Sequence, residues 1–114
     1  MSRDDATLLD ILKAARLVTK FKRNIKKTAF LKDLKTQSAI VHQLLVLGEA
    51  VKRLSDEFRA DHPEIPWTMI AGMRDKLIHE YDAVDLHEVW KTANADIPRV
   101  ISVLKPLVPR KKNK

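Results

Sequence analysis

The feature that most constrains this chain is its shortage of places to turn: only two glycines, Gly48 and Gly72, occur in 114 residues. Alternating β-branched runs are scarce, and apolar residues recur with a period near 3.6. Both point to helices almost everywhere. A chain of this length removes roughly two-thirds of its unfolded surface from water, so a single all-α domain that folds without staples is expected. There is no cysteine. Disulfides, thiolate zinc sites and cysteine nucleophiles are thereby excluded.

The periodicity divides the chain into four or five helices. The first opens at Asp4-Asp5, whose charges suit the positive end of a helix dipole. It turns Leu8, Leu9, Ile11, Leu12, Ala15, Val18 and Phe21 inward and fades near Arg23-Asn24. A basic connector and a short turn at Thr28 to Leu31 lead to the longest helix, about Leu34 to Phe58. Ile40, Val41, Leu44, Leu45, Leu47, Val51, Leu54 and Phe58 are too many for one stripe, so that helix should be covered on more than one side. Gly48 in its interior costs about 1 kcal/mol of helix propensity relative to alanine, which implies a close helix crossing or a dimer contact there. After the rigid loop Asp61-His62-Pro63-Glu64-Ile65-Pro66, a third helix starts at Trp67 with Pro66 in its first turn. Asp85 suits the N-cap of a fourth helix carrying Leu86, Val89, Trp90 and Ala93. Pro98 should end or kink it, with Asp96 capping a short fifth helix through Leu104. The bundle is expected to occupy residues 1–105. Residues 106–114, with Pro106, Pro109 and the run Arg110-Lys111-Lys112-Asn113-Lys114, read as a basic disordered tail.

The third helix carries the chemistry, in the run Arg74-Asp75-Lys76-Leu77-Ile78-His79-Glu80-Tyr81. At about 100° per residue, Arg74 falls within the apolar arc of Ile70, Met73, Leu77 and Ile78. A guanidinium cannot shed its charge, so it needs a carboxylate, a phosphate or a wet groove beside it. Tyr81 returns to nearly the direction of Arg74. His79 points roughly 140° away, where Asp75, one turn earlier, is within reach of its ring. Arg74 and His79 can share one phosphate only if the helix distorts or ends near His79, or if a second chain brings its own motif alongside. Glu49, within the apolar long helix, also wants a cation, which Arg74 or Arg53 could supply.

Charge adds a partner class. Lys and Arg number 22 against 15 Asp and Glu, a formal +7. Nine of the basic residues fall between Lys13 and Lys35, with Asp33 as the one acid. Lys20, Lys22, Arg23, Lys26 and Lys27 are candidates for contact with a nucleic-acid backbone, set against a plainly solvated face. No apolar run reaches the ~20 residues of a membrane span, and the N-terminus lacks the apolar core of a signal peptide, so a cytoplasmic protein without membrane contact is expected.

Taken with their surroundings, these residues resemble the HepT-type branch of the HEPN superfamily. Its signature R-x4-6-H is extended in that branch to R-x4-H-x-Y, and Arg74, His79 and Tyr81 match the extended form. Gln37-Ser38-Ala39, Leu47-Gly48-Glu49-Ala50 and Arg53-Leu54-Ser55 resemble the family's second helix. His62 to Trp67, Ile70 to Arg74 and Val84-Asp85-Leu86 resemble the stretches around its motif, so the likeness runs from Leu8 to about Leu104. The resemblance implies an antiparallel four- to five-helix bundle that forms a homodimer through its motif helices. It further implies a metal-independent endoribonuclease toxin of a toxin–antitoxin pair, acting on RNA, with Arg74 and His79 catalytic and Asp75 supporting. The implied partner is a minimal nucleotidyltransferase antitoxin that adenylylates the tyrosine of the motif, here Tyr81. The lysine-rich segment from Lys22 to Lys35 and the basic tail depart from the family pattern.

Two other readings use the same bundle. In one the chain is a non-catalytic helical partner that presents Tyr81 or a nucleotide to the transferase. The other is a metal-binding bundle, but the Glu-x-x-His pairs of di-iron proteins are missing and Asp75 with His79 makes at most half a site. No metal or cofactor is therefore expected. His42 reads as a satisfied core or interface residue, His62 and His87 as solvated, and Trp67 and Trp90 as packing anchors ahead of base-stacking platforms.

Overall fold

The computed structural model describes residues 3–79 and 83–108 and is all-α, with no strand among the described residues. Seven α-helices follow in order: α1 (Arg3–Lys22), α2 (Lys27–Phe30), α3 (Leu34–Lys52), α4 (Asp56–Asp61), α5 (Trp67–His79), α6 (Leu86–Lys91) and α7 (Ile97–Leu104). A π-helical segment, Thr92–Asp96, joins α6 to α7. The molecule is a slab of 41 × 34 × 20 Å. Twenty ångströms is about two helix diameters, so helices pack in two layers and one side of a central helix is left uncovered.

That central helix is α3, which packs against α1 on one side and α5 on the other, while α7 closes over α1. The core between them holds Leu8, Ile11, Ala15 and Val18 of α1, Ile40, Leu47 and Val51 of α3, Ile70 and Leu77 of α5, and Val100 and Leu104 of α7. Leu9 and Phe21, expected inside, are only partly buried. Asn24, at φ 63°, takes the left-handed conformation that closes α1, and its short polar side chain tolerates it better than most.

The long helix expected from Leu34 to Phe58 is two helices. Helix α3 stops at Lys52, and Ser55 begins α4 by accepting a hydrogen bond from the Phe58 backbone N–H at 3.1 Å. The break is locked from outside: the Ser55 N–H and hydroxyl donate to the two oxygens of Asp4 at 3.0 and 2.7 Å. Those bonds hold the Asp4 carboxyl below its ordinary range, the hydroxyl being the larger influence. They also tie the start of α1 to the end of α3, which makes the two helices antiparallel. Asp33 caps α3 in the same manner, accepting from the Thr36 N–H at 3.1 Å.

Pro66 supplies the carbonyl for the first turn of α5, accepting from the Ile70 N–H at 3.0 Å, as the sequence leads one to expect. Asp85 caps α6 through the His87 and Glu88 N–H groups. Asp96 caps nothing: its backbone is helical and its side chain makes no cap bond. The helix runs on through the π segment into α7, because a wider turn just before Pro98 absorbs the missing N–H and the ring clash without a break. At the far end Leu107 and Val108 still donate to the Leu104 carbonyl, and Val108 packs on the core. The basic run Arg110 to Lys114 lies outside the described residues.

Candidate active site

Helices α3 and α5 meet at Gly48. A Cβ placed there would lie 2.3 Å from Cβ and 2.9 Å from Cγ of Arg74, and 3.3 Å from the Ile70 carbonyl oxygen. The missing methyl group is what lets the stem of Arg74 rest on the backbone of α3. From that seat the guanidinium reaches across to Glu49, with Nη2 at 2.8 Å from Oε1, while Nη1 lies 2.9 Å from Oδ1 of Asp75. Lys52 closes the cluster with its own bond to Asp75. Hydrogen bonds from Lys52 and then Arg74 hold the Asp75 carboxyl below its ordinary range.

The arginine is therefore fixed from two sides yet open to a ligand, with a side chain 27 % exposed. Of its five N–H donors, the two carboxylates engage one on each terminal nitrogen, leaving others for phosphate oxygens. The cation that Glu49 needs is Arg74. Arg53 turns instead to Asp10 of α1 at 3.4 Å.

His79 is the last described residue of α5 and is exposed. The partners that Asp75 takes are Lys52 and Arg74, both on Oδ1, rather than the His79 expected one turn on. Within one chain Arg74 and His79 stand on different faces of α5, as their spacing requires. Tyr81 lies outside the described residues. Lys52 was missed by sequence reasoning; its signal was its position one turn after Glu49, on the α3 face that Gly48 brings against α5.

The basic residues at the end of α1 do not all face solvent alike. Lys20, Arg23, Lys26 and Lys27 are exposed, whereas Lys22 is partly buried with its Nζ 5.3 Å from the Trp90 ring centroid. Trp90 in turn packs on the buried Phe30 ring at 5.2 Å, and Trp67 is buried with its Nε1 donating to the His62 carbonyl at 2.9 Å. Both tryptophans are packing anchors. His42 is exposed rather than buried in the core, on the wall of a groove. Among the described residues no group of three or more His, Asp or Glu side chains converges as a metal centre requires, and no helix is long and apolar enough to cross a membrane.

Comparison with known proteins gives the family. The family model described as "Ribonuclease HepT-like" matches residues 11–107. A protein of Thermococcus cleftensis named "Probable ribonuclease HepT" is 48% identical over 91 residues, covering 80% of this chain and 83% of its own. One of Caldanaerobacter subterraneus named "Putative RNase" is 39% identical over 102 residues, covering 90% of this chain and 91% of its own. No solved structure matches at a significant level. The all-α bundle is of the HEPN type. The chain belongs to the ribonuclease HepT-like family.

Proposed function

We propose that this HepT-like ribonuclease cleaves RNA without a metal, using Arg74 and His79 at a site completed by a second copy of the chain. The carrying observation is the clamp on Arg74: an arginine seated on Gly48 and oriented by Glu49 and Asp75, partly open to solvent. RNA brings its own nucleophile. A base takes the 2′-OH proton, the 2′ oxygen attacks phosphorus, the bond to the 5′ oxygen breaks, and an acid protonates that leaving oxygen. His79 serves as base or acid because an imidazole ring both takes up and gives back a proton through its nitrogens, and Arg74 holds the non-bridging oxygens where charge builds up.

Dimerisation rests on two observations. Arg74 and His79 diverge on one helix, so a shared phosphate calls for the partner's motif. Val46, one turn before Glu49, and Ile78, one turn after Arg74, are large apolar side chains exposed at 39% and 46% beside the clamp. In this reading the chain is the toxin of a toxin–antitoxin pair, and a minimal nucleotidyltransferase silences it by adenylylating Tyr81. A phosphate and a base added two residues from His79 would repel and block RNA. Exposed Lys20, Arg23, Lys26 and Lys27 add backbone contacts.

Purified protein is expected to cut RNA and spare DNA of the same sequence, in the presence of chelator, leaving 2′,3′-cyclic phosphate ends. Folded Arg74→Ala and His79→Ala proteins should lose at least about a hundredfold in rate. Cleavage abolished by chelator, or retained by both variants, would overturn the mechanism. Wild-type protein that is inert toward RNA yet still accepted by the transferase would favour the non-catalytic partner.

A further inference from the structure

On the same outward side of the slab, a groove of about 480 Å³ runs along the first half of α3. Its apolar walls are Val41 and Leu45 of α3 with Val84, just before the cap of α6, and Leu86, the first residue of α6. Three polar side chains enter it: Gln37, Ser38 and His42. Among the described residues no charged side chain lines it. A concave, mainly apolar space of this size with a few placed polar groups is the usual form of a small-ligand site.

The polar groups differ in what they offer. Gln37 already donates from Nε2 to the Phe30 carbonyl oxygen at 2.9 Å, which pins the amide and leaves Oε1 as an acceptor. Ser38 can donate and accept through its hydroxyl, and a neutral His42 ring does both through its two nitrogens. The position of the groove relative to the clamp is also determined. His42 and Glu49 are seven residues apart on one face of α3, two turns or about 10 Å, and Glu49 holds Arg74.

We infer that this groove is the nucleobase pocket of the ribonuclease, receiving the unstacked base next to the phosphate held at Arg74. It discriminates between bases by the groups on their edges. Single-stranded RNA is read by splaying a base out, packing its face on apolar or ring side chains and hydrogen-bonding its edge. Val41, Leu45, Val84 and Leu86 supply the packing surfaces. The Gln37 carbonyl accepts from a donor on the base edge, an exocyclic amine or a ring N–H, and Ser38 and His42 satisfy the neighbouring positions. The apolar and neutral polar side chains of the groove suit a base, while the phosphates remain with Arg74 and the lysines.

The inference rests on the ribonuclease reading, but it is tested by binding, which needs no turnover. The four nucleoside 3′-monophosphates and inorganic phosphate are titrated into the full chain by NMR. The tightest and the weakest of the four nucleotides should differ by at least about tenfold, with shifts at the His42 ring for the tight binders. His42→Ala and Gln37→Leu should flatten that preference and leave inorganic phosphate binding intact, while Arg74→Ala should do the reverse. Equal binding of all four, or a preference unmoved in both groove variants, overturns the pocket. So does a His42→Ala protein whose base preference is intact but whose dimer dissociates more readily in analytical ultracentrifugation, because the groove is then an interface between copies. A protein that selects bases but never cleaves RNA keeps the pocket and refutes the ribonuclease mechanism; one that cleaves without base preference does the opposite.

Discussion

At the scale of single residues, the site depends on an absent methyl group. Alanine at Gly48 would gain about 1 kcal/mol of helix propensity, but its Cβ would meet the Arg74 stem at 2.3 Å, a distance that demands movement of α5 or of Arg74. Overpacking of that kind costs about 1–3 kcal/mol, so the clash outweighs the propensity. Gly48→Ala is expected to lower the Tm by several degrees, and to lower the cleavage rate more than that loss of folded protein explains, because Arg74 is displaced from Glu49. An unchanged or raised Tm would mean that the helices do not cross this closely. The sequence already showed that Gly48 needed a close neighbour and that Glu49 needed a cation. It left open which arginine answered, because Arg53 and Arg74 are equally placed on paper. The answer came from three dimensions: the crossing at Gly48 delivers Arg74 to Glu49, and Arg53 faces α1 and Asp10.

At the scale of elements, periodicity located α1, α3 and α5 well, since each has an apolar face long enough to outweigh its local exceptions. Periodicity failed where a local polar bond competes with it. Leu54 and Phe58 continue the apolar pattern of α3, yet Ser55 breaks the helix because its side chain caps α4 and both its donors reach Asp4. The partner fifty-one residues away could not be read from the local sequence. Asp96 is the converse case: a residue of capping type that stays within a continuous helix because the π segment accommodates Pro98. The Ser55 junction can be measured. Ser55→Ala removes the cap and one bond to Asp4, with an expected loss of about 1–2 kcal/mol at pH 7. Asp4 titrates below its ordinary 3.8 in the folded chain, so its contribution is complete above that value and lost as pH falls through the depressed one. Urea titrations of wild type and variant should therefore draw closer as pH falls below 3.8, by the share that the Asp4 bond contributes, while the share of the cap remains. A difference that stays constant down to pH 2 would mean that the Asp4–Ser55 bonds do not hold the junction.

At the scale of the whole molecule, a two-layer slab with excess positive charge has two different kinds of surface to use. One is the outward side of α3 and α5, where the Arg74 clamp, the groove and exposed Val46 and Ile78 lie together. The other is the basic end of α1 and the connector after it. Charge counting treats Lys22 and Lys26 as equals, but their surroundings separate them. Lys22 is held over Trp90 against the Phe30 anchor, so its ammonium and stem serve packing, whereas Lys26 and Lys27 are exposed. Each phosphate neutralised on single-stranded RNA contributes about −0.7 to the slope of log affinity against log salt. Replacing Lys26 and Lys27 together with alanine should make that slope shallower by about 1.4 and weaken all RNA sequences alike, with the Tm unchanged. Lys22→Ala should do the opposite, lowering the Tm while moving the salt slope by less than one phosphate. If all three substitutions change the slope equally, Lys22 leaves Trp90 when RNA binds, and the basic end of α1 acts as one uniform patch. If none does, the RNA backbone is held by the outward face alone, and the positive charge of the α1 end contributes to solubility and not to substrate.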